Sequence, residues 1–525
     1  MEMKKFDVII IGSGINSLAT AALLAQSGKS VKVFEARDKV GGLASTGQFK
    51  AGFKCNFLND TVRWIDPRLL KKLDLKSKGL EFIQPKIVRT ALGDNNKQLE
   101  FYLDHSKTAD SIASHSKNDA EKWNEFNSHI NKLAQFLEKI YELTPPGLPN
   151  IGLKEVFGMR SVLSPIRKHG TRGIVDLLRV APMMMPELVD EWFENDFLKS
   201  AISTAGIHQH SFGPYAAGTG YNLLHQHVHS KGIFHNVNFV KGGTEKFALA
   251  LKEVAETSGV QIQCSAKVSA ININDHSCRG ITLDSGESIE SAQVVSGLDP
   301  NNTFFNLIGR NEINPDLQRQ LNNIRYRGSA ARVHFALNKL PIINSITKEN
   351  MITVFSINPS LEYLERASDS VKYGKPAISP YVEFTIPSLI NEDFSPDGKH
   401  VLSATAQYYP YHLKNAKWNE KLKNDIEKNI IKTIEKFSPG FSSSIEYTHF
   451  LSPLDIENEF GLTEGSLNHG EMTLDQFMFM RPTISTSQYK TPIKNLYICG
   501  SGTHPGGGLH GTNGFNAAQE ILKMK

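Results

Sequence analysis

Residues 6–11, FDVIII, form an apolar, β-branched run that leads directly into Gly12-x-Gly14-x-x-Ser17. A run with no polar alternation predicts a parallel strand covered on both faces. Residues 18–26, rich in Ala and Leu, predict a helix that Gly28 ends, and residues 31–34 predict a second buried strand. Together they make a β-α-β unit of about 30 residues, the length that such a crossover requires. In this setting Gly12 permits the tight turn, and Gly14 lets backbone N–H groups approach a pyrophosphate. The third position needs a small residue for helix–strand packing, and here it is Ser17 rather than glycine. Ile15 and Asn16 fall in the same loop, where the positive end of the helix dipole favours a diphosphate. Glu35 lies 23 positions after Gly12, where a carboxylate accepts both hydrogen bonds of an adenosine ribose. A dinucleotide site is therefore expected; the alternative is a glycine-rich turn in a nucleotide-free fold.

Glu35 is followed by Ala36, Arg37 and then Gly41-Gly42-Leu43. A double glycine shortly after the acidic strand end resembles FAD-binding two-domain flavoproteins, so FAD is the expected dinucleotide. At the far end, LYIC at 496–499 predicts a short buried strand. It runs into Gly500-Ser501-Gly502-Thr503-His504-Pro505-Gly506-Gly507-Gly508-Leu509-His510-Gly511 and a closing helix from about Asn513. Glycines at 506–508 bring backbone against a flat ring without a Cβ clash. The helix after them directs its N-terminal N–H groups toward that ring. Mid-chain, 246–257 reads as a helix, 259–271 (with Val268) and 280–283 as strands, and Val294-Val295 closes a strand before Asp299. The expected fold is mixed α/β: a discontinuous Rossmann-type FAD-binding domain at 1–75, 232–300 and 491–525. A substrate-binding or cap domain of mixed sheet and helices, 76–231 and 301–490, is inserted in it. The stretch Thr144-Pro145-Pro146-Gly147 with Pro149 reads as a loop.

Taking its two ends together, the chain resembles the phytoene-desaturase-type flavoproteins. Within them it resembles the branch of the pyridine nucleotide-disulfide oxidoreductase domain-containing protein 2 type. The same pattern includes Gly218-Thr219-Gly220-Tyr221, Lys241-Gly242-Gly243, Gly461 to Gly465, His469-Gly470, Leu474-Asp475-Gln476 and Arg481-Pro482. The resemblance implies FAD bound by Gly12, Gly14, Ile15, Asn16, Ser17, Glu35, Ala36, Arg37, Gly41, Gly42, Leu43, Val268, Gly500, Ser501, Gly508, Leu509, Gly511 and Asn513. It implies no particular substrate.

Five histidines, His208, His210, His225, His227 and His229, fall close together, with His235 soon after. Alternation on a strand would line up three imidazoles, but no carboxylate or thiol accompanies them at ligand spacing, so no metal is expected. They read as a polar pocket wall or as structural residues. His208, His225, Tyr221 and Met184 are the candidate substrate-pocket residues, Met184 lying in a methionine-rich stripe that also reads as plain core. His504 and His510, in the glycine loop, are the candidates for touching substrate or ring.

The excluded classes narrow the rest. Lys and Arg total 58 against 54 Asp and Glu, too dilute an excess for nucleic-acid binding. The four cysteines form no C-x-x-C pair, and Gly213, Gly218 and Gly220 do not sit between strand and helix. A disulfide relay and a second dinucleotide site are therefore not expected. The N-terminal lead, Met1 to Lys5, does not read as a cleavable signal, and no stretch reads as a membrane span. A reducing, cytoplasmic location is expected, with attachment to a membrane surface or an organelle matrix left open. The leading reading is an FAD-dependent oxidoreductase that takes hydride from an apolar small molecule and passes electrons to oxygen, a quinone or a carrier protein. A flavin amine oxidase is the alternative, against which stands the lack of any aromatic residue between Tyr497 and Phe515. A flavin-binding interaction protein is the alternative from another class.

Overall fold

The computed structural model describes residues 6–147, 163–344 and 346–523; the lead Met1 to Lys5 and Pro149 lie outside them. The first run forms β1 (Phe6–Ile11), followed by α1 (Ile15–Gln26) and β2 (Val31–Phe34). The helix begins three residues earlier than its apolar run, because Gly14 caps it in an extended conformation and Ile15, Asn16 and Ser17 already lie in its first turn.

β1 is the middle of five parallel strands: Gln261–Gln263, β2, β1, Ser288–Ser296 and Leu496–Ile498. Three distant stretches of chain therefore build one sheet. Val8 and Ile10 pack into the layer formed by α1 and the helices Glu245–Thr257 and Thr512–Leu522. Ile9 and Ile11 pack the opposite way, against the antiparallel strands Val268–Asn274 and Ser277–Leu283 that extend from Ser288–Ser296. Apolar residues are needed on both sides, which explains the unbroken run.

A second, seven-stranded sheet has the order Ile445–Leu451, Ala330–Leu337, His400–Gln407, Tyr381–Thr385, Val354–Ile357, Ile87–Gly93, Lys97–Tyr102. All its pairs are antiparallel except Val354–Ile357 with Ile87–Gly93. Ala331, Val333, Phe335, Val382, Phe384, Leu402 and Ala404 face the helix Glu420–Glu435. The alternate residues Arg332, His334, Glu383, Thr385, Ser403, Thr405 and Gln407 occupy the other face. That face is polar and nonetheless largely buried. Arg332, Thr405 and Glu383 are register partners in one row across three strands.

The methionine-rich stripe divides. Met185 and Val180 are core, whereas Leu178 is 70% exposed. Among the described residues no helix is long and apolar enough to cross a membrane.

α1 and the closing helix cross tightly: a Cβ on Gly514 would stand 2.0 Å from the Asn16 carbonyl oxygen. Backbone on backbone has nowhere to yield. Gly514→Ala is expected to cost about 1–3 kcal/mol, read as a lowered Tm; an unchanged Tm contradicts this packing.

Candidate active site

The loop after β1 opens a groove of about 800 Å³, within the roughly 300–1,000 Å³ of cofactor and ligand sites. Gly12 turns the chain at φ +86°, and a Cβ there would press on Leu298 at 3.3 Å. The double glycine lies against this loop: Gly41 N–H donates to the Ser13 carbonyl at 3.0 Å, and a Cβ on Gly42 would meet Gly14 Cα at 3.2 Å. A Cβ on Gly14 itself would meet nothing within 4 Å.

Of the expected cofactor residues, Gly12, Gly14, Ile15, Asn16, Ser17, Glu35, Ala36, Arg37, Gly41, Gly42, Leu43, Val268, Ser501, Gly508 and Leu509 line the groove. Gly500, Gly511 and Asn513 do not. Gly500 packs on the Gly297 carbonyl, and Gly511 caps the last helix at φ +75° with Leu69 against it. Asn513 Nδ2 donates to the carbonyls of Gly500, Thr503 and Gly506. These three shape the loop from behind. The closing helix also differs from expectation: Thr512 N–H donates to His510 Nδ1 and Gly514 N–H to Asn16 Oδ1. Glu35 is partly engaged. Its Oε2 accepts from Ser13 N–H at 2.8 Å and Ser13 Oγ at 2.6 Å, and Oε1 from Arg37 N–H at 2.9 Å. A carboxylate offers about four acceptor positions, so one remains instead of the two assigned to a ribose.

Gly508 and Leu509 also line a second, inner chamber of about 70 Å³. Its floor is the polar face of the second sheet: Arg332, Glu383, Thr385 and Thr405. Asp60, Arg63, Trp64, His208, Gln209, His225 and His510 complete the wall. Trp64 stacks on His510, ring centroids 4.2 Å apart and 2° from parallel. His510 and His225 both donate from Nε2 to the Gly507 carbonyl, at 3.2 and 3.0 Å, while His225 Nδ1 accepts from Tyr141 OH. Two imidazoles thus fix the middle of the glycine triplet. Arg481, fully buried, donates to the carbonyls of Asn468, Glu471 and Ser501, tying both cavities' loops together. Burial pulls its guanidinium down to about 10.

Of the candidate pocket residues, His208 and His225 line the chamber, whereas Tyr221 and Met184 line neither cavity. Tyr221 is buried behind His225, its hydroxyl 3.1 Å from Tyr141 OH. Met184 caps the helix Met185–Asp190, its N–H donating to Glu187. His504 likewise lines neither cavity. It is wholly buried, with Nε2 on the Ile140 carbonyl at 3.1 Å. The alternating histidines are not on a strand: His208 and His227 end helices, and His225 lies inside one. Asp60, Arg63, Trp64, Arg332 and Glu383 were missed, although the alternation of 381–385 and 400–407 marks a two-faced sheet that their burial makes unusual.

Burial is the largest influence on these histidines. It lowers His208, His210, His225, His227 and His504 to about 3, and His235 and His510 to about 4. All are neutral in the folded protein near pH 7, whereas in the unfolded chain each takes a proton near pH ~6.5. Their contribution to stability is therefore complete above about pH 6.5. It is lost as pH falls toward the folded values, by up to about 1.4 kcal/mol per pH unit for each histidine. The urea midpoint is expected to fall steeply between pH 7 and pH 5, with proton uptake on unfolding. A midpoint constant across that range contradicts the neutral cluster.

Comparison with known proteins agrees with this architecture. A family profile described as flavin containing amine oxidoreductase matches residues 18–522. The chain is 29% identical over 543 residues to pyridine nucleotide-disulfide oxidoreductase domain-containing protein 2 of Rattus norvegicus, covering 99% of this chain and 94% of that protein. It is 24% identical to a lycopene-forming phytoene desaturase of a Paracoccus species, covering 96% of this chain and 95% of that one. Its fold is similar to that of cyclohexylamine oxidase from Brevibacterium oxydans, with a TM-score of 0.56 at 15% identity, covering 99% and 98% of the two chains. The chain belongs to the flavin-containing amine oxidoreductase family, and it is an FAD-dependent oxidoreductase.

Proposed function

We propose that the groove is a Rossmann-type FAD site and that the chain dehydrogenates an apolar segment of a small molecule held in the inner chamber. The observation that supports this most is the sharing of Gly508 and Leu509 by groove and chamber. In this reading the 12–17 loop and the start of α1 hold the pyrophosphate, and the open position of Glu35 Oε1 takes a ribose hydroxyl. Leu43, Ser501, Gly508 and Leu509 lie at the ring end. The open space beside Gly14, bounded by Gly41 and Gly42, fits a diphosphate that needs close backbone approach. Bound FAD supplies a hydride acceptor.

The chain's own groups orient the substrate and exclude water. Trp64, Leu58, Val354 and Leu509 give the chamber apolar surface, and the Trp64–His510 stack braces the wall beside Gly508. His225 and His510 are neutral and already spend Nε2–H on Gly507, so they act as supports of the loop. Oxygen, a quinone or a carrier protein then takes the electrons. Oxidation at a C–N bond is the second reading, favoured by one observation: Trp64 supplies the aromatic wall that the C-terminal motif lacks.

Gly14→Asp is expected to fold and yet bind no FAD. Its Cβ meets open space, but the carboxylate lands where the pyrophosphate belongs. The check is flavin absorbance per chain beside an unchanged circular dichroism spectrum; a fully flavinylated variant removes the proposed phosphate site. Anaerobic stopped flow separates oxidase or desaturase from reductase. Among the described residues the strand Asn238–Val240, which runs through Gly242-Gly243 into the helix Glu245–Thr257, pairs antiparallel and outside the parallel sheet, and Gly218 follows a turn, so neither makes a second β-α-β dinucleotide unit. NADPH is therefore expected to bleach the flavin slowly and without saturation. Rapid, saturable reduction by NADPH turns the assignment toward reductase.

A further inference from the structure

We infer that the inner chamber binds an anionic group of the substrate, a carboxylate, with Arg63 as its ligand. The inference deepens the proposed function and rests on the chamber being the substrate site.

It starts from a charge inventory. Three guanidinium groups, Arg63, Arg89 and Arg332, meet at the polar sheet face with two carboxylates, Asp60 and Glu383. Two of the cations are matched. Arg89 Nη2 donates to Glu383 Oε2 at 2.7 Å, and Arg332 Nη2 to Asp60 Oδ2 at 2.8 Å. Arg332 is satisfied further by Thr405 Oγ1 and the carbonyls of Asn56 and Phe57. Glu383 Oε2 also accepts from Tyr381 OH.

Arg63 is the remainder. Its side chain is 13% exposed, its nearest anion is Glu383 Oε1 at 3.6 Å, and among the described contacts it donates no hydrogen bond. A largely buried guanidinium with five donors and no acceptor is costly unless something supplies the missing charge. The imidazoles around it cannot, because an imidazole is either neutral or positive. Burial, the largest influence, outweighs the attraction of Glu383, which Arg63 shares with the closer Arg89, and the Arg63 guanidinium is pulled downward.

The site has the shape of a carboxylate receptor. A guanidinium fork matches two carboxylate oxygens; the Thr385 hydroxyl, also in the chamber, is turned to Asp60 and helps hold that carboxyl down, so the donors left open are those of Arg63. One acceptor opposes this, the Asp60 carboxylate. Its charge is already balanced by Arg332, and burial pushes its carboxyl up, away from a second full negative charge. The chamber's small size admits a headgroup, so the rest of the substrate extends toward Gly508 and Leu509.

The test uses the full chain, with flavin content fixed first by absorbance, and calorimetric titration with hexanoate, hexanamide and hexylamine. Hexanoate is expected to bind about tenfold or more tightly than hexanamide, the difference a charge-assisted pair makes. Arg63→Gln removes that preference and Arg63→Lys keeps part of it, both with unchanged FAD content. Equal or tighter binding of hexanamide or hexylamine, absence of hexanoate binding, or a preference surviving Arg63→Gln overturns the inference. If Arg63→Gln does not fold, the wild-type ratio and Arg63→Lys decide. A preparation that takes up no FAD overturns the flavin reading instead. The ligand ratio is read on that preparation all the same, because Arg63 belongs to the chain.

Discussion

Parallel pairing of β1 with the next strand on one side and with a strand nearly 300 residues away on the other is the constraint on which the other features rest. Val8 pairs with Val31 on one side and Gln293 on the other, and Ser296 in turn pairs with Ile498. Each of these strands ends at the same edge in a loop: the glycine turn after Ile11, Glu35 after Phe34, Gly297 to Asp299, and Gly500 onward. Parallel strands place their carboxyl ends together, so four loops converge without any loop having to reach. The packing is close enough to restrict sequence. A Cβ on Gly297 would lie 1.9 Å from Ser17 Oγ, and one on Gly500 would lie 2.5 Å from the Gly297 carbonyl.

The second sheet solves a different problem. Its apolar face is conventional, covered by one amphipathic helix. Its polar face is closed over by the first domain and by the helices that carry His208 and His225. Burying Arg332, Glu383 and their neighbours requires that each find a partner, and most do, within the row Arg332, Thr405 and Glu383 and with Arg89 behind it. Glu383 shows the balance: burial, the largest influence, raises its carboxyl, but Arg89 first and Arg63 after it hold it well below the usual carboxylate range. The histidines are treated oppositely and kept neutral, so fixed charge in the chamber comes from arginine and carboxylate. Rigid, neutral supports beside the glycine triplet and fixed charges farther back form a division that preorganises a site before ligand arrives.

Much was legible in the sequence because it is local. An unbroken β-branched run states that both faces of β1 are covered, and the turn after it needs Gly12 because φ is +86° there. The glycine-rich tail and the double glycine carry the same kind of information, since close backbone approach forbids a Cβ wherever it occurs. These determined the fold class and the flavin family. What the sequence alone did not determine is the chamber. Asp60, Arg63, His208, Arg332 and Glu383 come from segments up to more than 300 residues apart, and no period links them. Alternation on 381–385 and 400–407 fixes which residues share a face, but whether that face meets water or a second domain is decided only by what packs on it. The histidines misled for the same reason: spacing of two suggests a strand, yet helix ends put His208 and His225 on one wall and turn Tyr221 behind it. Local geometry follows from local steric limits; the charge left on Arg63 exists only once distant chain segments have shut out water around it.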